Sequence, residues 1–207
     1  MPIIPQYTLT YFNLMGRAEP IRLIFAQARV NYKDHRIERS EWPALKEKMP
    51  FSQLPVLEMD GKVLAQSHAI EKFLARMFGL DGKDDWESAK IDECVMGLED
   101  LLQKMVPWFR ETDEVKKIEI FKKLVSDEIN PFLERYQKFL VDNGSGYFVG
   151  TDLTYADLSL FNTLHFMNTK LLPGHLKNYS RLNEFVDKIA ALPNIKAWLE
   201  TRPKTDH

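Results

Sequence analysis

Apolar and polar positions alternate at the start of the chain and then change period. Leu9 and Tyr11 alternate with threonines, a strand pattern that breaks over residues 13–16. A helix is predicted from about Glu19 to Arg29, with Ile21, Ile24, Phe25 and Ala28 on one stripe. "NYKDHRI" reads as a second strand, and "LPVLEMDGKVLAQS" as a hairpin with strands at Val56–Met59 and Lys62–Ala65. Asp60-Gly61 forms its two-residue turn. Ser67 is the expected N-cap of a helix carrying Ile70, Phe73, Leu74 and Met77.

Residues 78–86, "FGLDGKDDW", carry no periodicity and read as a linker. Beyond them the three- and four-residue spacing of a helix dominates. One run holds Ile91, Val95, Leu98, Leu102 and Met105. A second holds Ile118, Phe121, Val125, Ile129, Phe132, Tyr136 and Leu140, with a kink expected at Pro131. Residues 182–199 repeat the spacing with Leu182, Phe185, Ile189 and Leu192. "LTYADLSL" contains an N-capping box, Thr154 with Asp157, that starts another helix. The pattern predicts an α/β domain of order β-α-β-β-β-α over residues 1–78, a linker over 79–85, and an all-helical domain over 86–207.

Composition narrows the function. The chain has 207 residues, 44% hydrophobic and 28% charged, and a net charge of −2, which offers nothing to nucleic acid or to an anionic membrane. No run of about 18 apolar residues predicts a membrane span, and residues 1–12 lack the basic segment and cleavage site of a signal peptide. The single cysteine, Cys94, allows no internal disulfide; a reducing compartment, the cytosol, is expected. The five histidines have no metal-ligand spacing, so no metal is expected.

Two features carry chemistry. Pro55 opens a strand, where a proline is tolerated; alternatively, a cis Leu54-Pro55 bond would turn the Leu54 N–H and C=O outward to pair with an extended peptide. Tyr11 closes the first strand just ahead of Gly16-Arg17. It is either a packed strand tyrosine or a phenol donating to an anion. A redox domain of this topology would need a thiol at the start of the first helix, and none is there, so any sulfur comes with the ligand. A free thiol of pKa about 8.5 is only about 3% thiolate at pH 7; lowering that value by about two units takes roughly 2.7 kcal/mol. A phenol hydrogen bond near a helix N-terminus supplies energy on that scale.

The segments "LTYFN", "GRAE", "DHRI", "LPVLEMDG", "QSHAI", "PWF" and "LTYADL" span both domains. On them the chain resembles the cytosolic glutathione transferases. It is most similar to the sigma class, which includes many helminth enzymes and a glutathione-dependent prostaglandin H2 to D2 isomerase. The resemblance implies a thioredoxin-like first domain and a homodimeric, cytoplasmic detoxifying enzyme in which a glutathione thiolate attacks an electrophile or a peroxide. It implies that Tyr11 activates the thiol, assisted by Arg17. Trp42 and Lys46 would hold the glycyl end, and Gln53, Leu54 and Pro55 the cysteinyl part. Gln66 and Ser67 would bind the γ-glutamyl carboxylate, and Asp100 would reach the partner subunit's γ-glutamyl amine. Phe12, Met15, Met105 and Trp108 match electrophile-pocket positions. An acidic metal cluster of the isomerase is represented here by Glu99 and Asp100, with Met96 at its earlier position, so no metal requirement carries over. The alternatives are the prostaglandin isomerase itself, or a carrier of haem or other apolar ligands on the same fold.

Overall fold

In the computed structural model, which describes residues 6–205, the chain divides into two units. One comprises residues 6–81 with 190–205, and the other residues 82–189.

The first unit is built on a four-stranded sheet. Its strands are β1 (Tyr7–Phe12), β2 (Lys33–Ile37), β3 (Val56–Met59) and β4 (Lys62–Ala65), and its helices are α1 (Glu19–Ala28), a short α2 (Trp42–Leu45) and α3 (Ser67–Phe78). The strand order is β2-β1-β3-β4. β1 pairs in parallel with β2, placing Tyr11 opposite Arg36, and antiparallel with β3. This is the expected thioredoxin-like arrangement. Alternation along β1 buries Tyr7, Leu9 and Tyr11 on one face. The hairpin falls at the predicted residues; Asp60 (φ 50°) and Gly61 (φ 78°) supply the left-handed pair its tight turn needs.

Helix α1 is less amphipathic than its stripe suggests. Every residue from Glu19 to Phe25 is buried, including the charged Glu19 and Arg22, whereas Ala28 is half-buried. Ser67 is not the N-cap of α3: it is the first helical residue, and Gln66 caps with φ 72° and ψ 113°. Its hydroxyl-bearing side chain is 6% exposed.

Residues 190–205, expected in the helical domain, lie with the first unit. The 182–199 run breaks into α8 (Ser180–Ala190) and α9 (Pro193–Thr201), because Pro193 cannot continue a helix from before it and instead starts the next. α9 packs on α1, with Ile195 wholly buried. Asn194 ties the two: its Oδ1 accepts from Arg29 Nε at 2.8 Å and its Nδ2 donates to the Gln27 carbonyl at 3.0 Å.

The second unit contains α4 (Asp85–Arg110), α5 (Glu114–Leu124), α6 (Asn130–Asn143), α7 (Tyr155–Phe166) and most of α8. The long 118–140 run is not one α-helix. A π-helical turn at Val125–Ile129 precedes Pro131, and the Asn130 N–H donates to Val125 five residues back, which is how the ladder absorbs the proline's missing N–H. Ile118 is 55% exposed and so leaves the buried stripe assigned to it. Helix α7 begins at the predicted capping box. The buried Asp157 carboxylate accepts from the Thr154 N–H (2.8 Å), the Thr154 hydroxyl (2.9 Å) and the Phe148 N–H (2.9 Å). Among the described residues, no helix is long and apolar enough to cross a membrane.

Candidate functional site

The site begins at the end of β1. Tyr11 is 8% exposed, and its hydroxyl accepts the backbone N–H of Arg17 at 3.2 Å. That bond occupies an oxygen lone pair and leaves the phenolic proton for another acceptor. Burial pushes the Tyr11 pKa up, and the Arg17 N–H and the charges of Arg17 and Arg22 only partly oppose it. The phenol is therefore protonated at any physiological pH and acts as a donor.

The turn from β1 to α1 is shaped to make this contact. The Asn13 N–H donates to the Ile37 carbonyl, and the Leu14 N–H to the Phe12 carbonyl, folding the chain back. Gly16 sits at φ 43°, and a Cβ placed there would lie 2.6 Å from both the Tyr11 hydroxyl and Leu14 Cδ1. Gly16→Ala is thus expected to displace the tyrosine hydroxyl. It should cut turnover more than ten-fold while costing about 1–3 kcal/mol of stability, both checked by steady-state kinetics and thermal melting.

Beneath the turn lies a buried ionic group that sequence inspection missed. Arg22 and Glu19 are both 0% exposed. Arg22 Nη1 donates to the Leu14 carbonyl (2.8 Å), the Met15 carbonyl (3.4 Å) and Glu19 Oε2 (3.1 Å), while Nε donates to Asp34 Oδ1 (3.2 Å). Asp34 Oδ2 accepts from Arg36 Nε at 2.8 Å, and Arg36 Nη1 reaches Asn13 Oδ1 at 3.4 Å. A signal was present in the sequence: an acid and a base three residues apart in a helix whose other residues, Gln27 excepted, are apolar.

The other site residues of this unit lie in four places. Phe12 is half-buried and packs edge-on against Trp42 of α2, ring centroids 5.5 Å apart. Met15 is half-buried in the turn, and Lys46, just past α2, is exposed. Gln53 is exposed, Leu54 half-buried and Pro55 buried, and the Leu54-Pro55 bond is cis. Gln66 and the start of α3 follow β4 directly, and the Gln66 side chain does not cap the helix, leaving first-turn N–H groups aimed out of its N-terminus. An anion placed there meets both these donors and the positive end of the helix dipole.

In the second unit, Asp100 is exposed on α4, with Glu99 and Met96 beside it. Met105 is 1% exposed, as a core side chain would be. Trp108 is half-buried, 5.2 Å from the Phe121 ring, with the Lys117 ammonium 5.7 Å over its face. Cys94 is buried and its pKa is pushed up to about 11 by desolvation, so the chain's own thiol stays out of the chemistry. Among the described residues, no group of three or more His, Cys, Asp or Glu could hold a metal ion.

Comparison with known proteins identifies the family of both units. The glutathione S-transferase N-terminal domain family matches residues 7–76, and the glutathione S-transferase C-terminal domain family matches residues 99–202. Glutathione S-transferase 1 of Ascaris suum is 42% identical over 207 residues, covering 99% of this chain and 100% of the relative. The hematopoietic prostaglandin D synthase of Gallus gallus is 38% identical, covering 98% and 99%. Among solved structures, a monomeric glutathione S-transferase of the hookworm Necator americanus superposes with a TM-score of 0.91 at 36% identity, covering 98% of this chain and 100% of that one.

Proposed function

Because the chain belongs to the glutathione S-transferase family, we propose that Tyr11 holds the glutathione thiol as its thiolate and that the thiolate then attacks an electrophilic carbon or a peroxide. The observation that carries this reading is the Tyr11 hydroxyl: buried, protonated, and anchored through its oxygen by the Arg17 N–H, with its proton left to donate. Arg17 adds a nearby positive charge that favours the anion.

The remaining glutathione contacts are assigned by the same reading. The γ-glutamyl carboxylate meets Gln66, Ser67 and the N-terminus of α3. The cysteinyl part pairs with the Leu54 main chain, flanked by Gln53 and Pro55. The glycyl carboxylate meets Lys46, with Trp42 beside it. The electrophile contacts proposed are Phe12 and Met15 in the first unit and Trp108 and Met105 in the second. An apolar lining of this kind selects weakly among similar substrates. Fixing the thiolate next to a second substrate supplies the rest of the rate through proximity.

The assembly is proposed as a homodimer, with Asp100 reaching the partner subunit's γ-glutamyl amine. Large apolar side chains stand exposed to support one: Phe51 (62%), Val63 and Met77 in the first unit and Met96 in the second. The monomeric state named for the hookworm relative is the opposing outcome, and sedimentation equilibrium decides between them. A cytosolic location fits the lone reduced cysteine.

The direct test is glutathione conjugation of a chromogenic aryl halide. Conjugation with product formed stoichiometrically supports the transferase. The name of the avian relative motivates a second reading, glutathione-dependent isomerisation of a prostaglandin endoperoxide, in which glutathione is returned unchanged. Product analysis with that endoperoxide separates the two. Glutathione binding with no turnover of any electrophile would assign the fold to carriage of haem or other apolar ligands.

A further inference from the structure

The chain's last helix ends on the buried group that holds the turn beside Tyr11. Trp198 Nε1 donates to Glu19 Oε1 at 2.7 Å, and Arg202 Nη1 donates to the same oxygen at 2.9 Å. Glu19 is 0% exposed, and its other oxygen takes Arg22. Both oxygens are thus committed, one to the chain's end and one to Arg22. Arg22 in turn holds the Leu14 and Met15 carbonyls, and the next residues, Gly16 and Arg17, set the N–H that grips the Tyr11 hydroxyl. A continuous path of hydrogen bonds, joined by the backbone of residues 15–17, therefore runs from residues 198 and 202 to the phenol, all within one unit.

The types of residue at its far end are informative. Docking α9 on α1 needs only apolar side chains, and Ile195 provides one. Placing an indole N–H and a guanidinium on one buried carboxylate oxygen does something else. Two donors hold Glu19 at a single rotamer, and a buried carboxylate so fixed holds the guanidinium facing it. A displacement of a few tenths of an ångström at the turn changes the hydroxyl's aim, and hydrogen bonds weaken steeply with angle.

We infer that Trp198 and Arg202 are positioning residues for the Tyr11 hydroxyl, acting through Glu19 and Arg22. The inference rests on the reading of Tyr11 as thiolate donor. It assigns the end of the chain a part in activating glutathione, although neither residue touches the thiol.

The test uses the full chain with Trp198→Phe, which removes the N–H and keeps an aromatic ring, Arg202→Leu, and the two combined. The readout is the apparent pKa in the pH profile of kcat/KM for a chromogenic aryl halide at saturating glutathione, together with the glutathione Kd and the Tm. The double variant is expected to raise the apparent pKa by about half to one unit, giving about three- to ten-fold slower turnover below it and recovery above it. The Kd should change less than about two-fold, because no glutathione contact is removed. Arg202→Lys, which keeps a cation at the carboxylate, should restore part of the shift. If the double variant does not fold, Trp198→Phe alone decides by the same profile. A profile that superimposes on wild type, even with a lowered Tm, overturns the inference and leaves the two residues a purely structural role. Tyr11→Phe run in parallel tells the two failures apart. If it moves the apparent pKa and the C-terminal variants do not, the positioning inference alone falls; if it leaves the apparent pKa in place, the tyrosine reading falls and takes the inference with it.

Discussion

Tyr11→Phe is expected to slow glutathione conjugation by about fifty-fold near pH 6.5, while the glutathione Kd changes less than about three-fold. The size follows from thiol ionisation. Lowering a thiol pKa of about 8.5 by roughly two units makes thiolate the main form at neutral pH, and losing that shift returns it to a few per cent or less. The Kd is nearly spared because, on the proposed reading, most of the binding comes from the two carboxylates and the peptide backbone of glutathione, assigned to Lys46, Leu54, Gln66 and the start of α3. The fold should also be spared. Phenylalanine keeps the ring that packs 5.6 Å from Phe12, and only the Arg17 N–H loses its partner, worth about 1 kcal/mol. The deficit must narrow as pH rises past the free thiol's value, since hydroxide then does what the phenol did. A deficit that is constant with pH would locate the tyrosine's effect in the attack step instead. Initial rates over pH 5.5–9.5, with glutathione saturating, distinguish these.

The largest expected effect on stability is at Asp157. Its carboxylate is wholly buried and accepts three hydrogen bonds, two of them from backbone N–H groups. Asp157→Ala removes the capping box of α7 and orphans the buried Phe148 N–H. About 1 kcal/mol for the cap and about 1–3 for the orphaned donors give an expected loss of about 2–4 kcal/mol, measured by urea unfolding at pH 7. The same group makes a prediction in pH. Burial raises its pKa from 3.8 to about 6, outweighing the hydrogen bonds and the charge of Lys188 that pull it down. A folded-state value above the unfolded one means that this group's linked stability is complete below about pH 3.8 and is lost as pH rises through 6. Wild type should therefore lose ground against the non-titrating Asp157→Asn as pH rises from 4 to 7, by up to about 3 kcal/mol for the roughly two-unit shift. A difference that stays flat with pH would show that the carboxylate titrates alike in both states.

How legible the molecule was depended on whether local sequence decided each feature. Alternation and turn chemistry did decide the sheet. Leu9 and Tyr11 face inward, and Asp60-Gly61 forms the hairpin turn, because a left-handed pair between two short apolar strands has few alternatives. The capping box at Thr154 is similarly local. Helix interruptions were less readable. The π turn at 125–129 depends on how the ladder accommodates Pro131, and hydrophobic spacing passes through such a turn almost unchanged. The break before Pro193 was visible as a proline but not where the following helix would dock. That is a tertiary choice, made by Ile195, Asn194, Trp198 and Arg202 against α1.

The site shows the same division. Tyr11, Gly16 and Arg17 stand out in the sequence because their types are odd for a strand end and its turn. Glu19 and Arg22 do not, since charged residues on a helix ordinarily face water. Only the packing around α1 shows that they are buried against each other and that residues 179 and 183 positions beyond Glu19 complete the pair. Residue type places Ser67 at the start of α3 but puts the cap one place late, because the unusual backbone at Gln66 cannot be read from residue type.

The central claim is that this chain makes a glutathione thiolate with Tyr11, and ultraviolet titration of the bound thiol tests it most directly. Thiolate absorbance is followed from pH 5 to 10 with glutathione bound to wild type and to Tyr11→Phe. The account predicts half-ionisation about two units below the free value of about 8.5 in wild type, returning towards the free value in the variant. Bound glutathione that ionises at the free value in wild type, or at the same lowered value in both proteins, would contradict it.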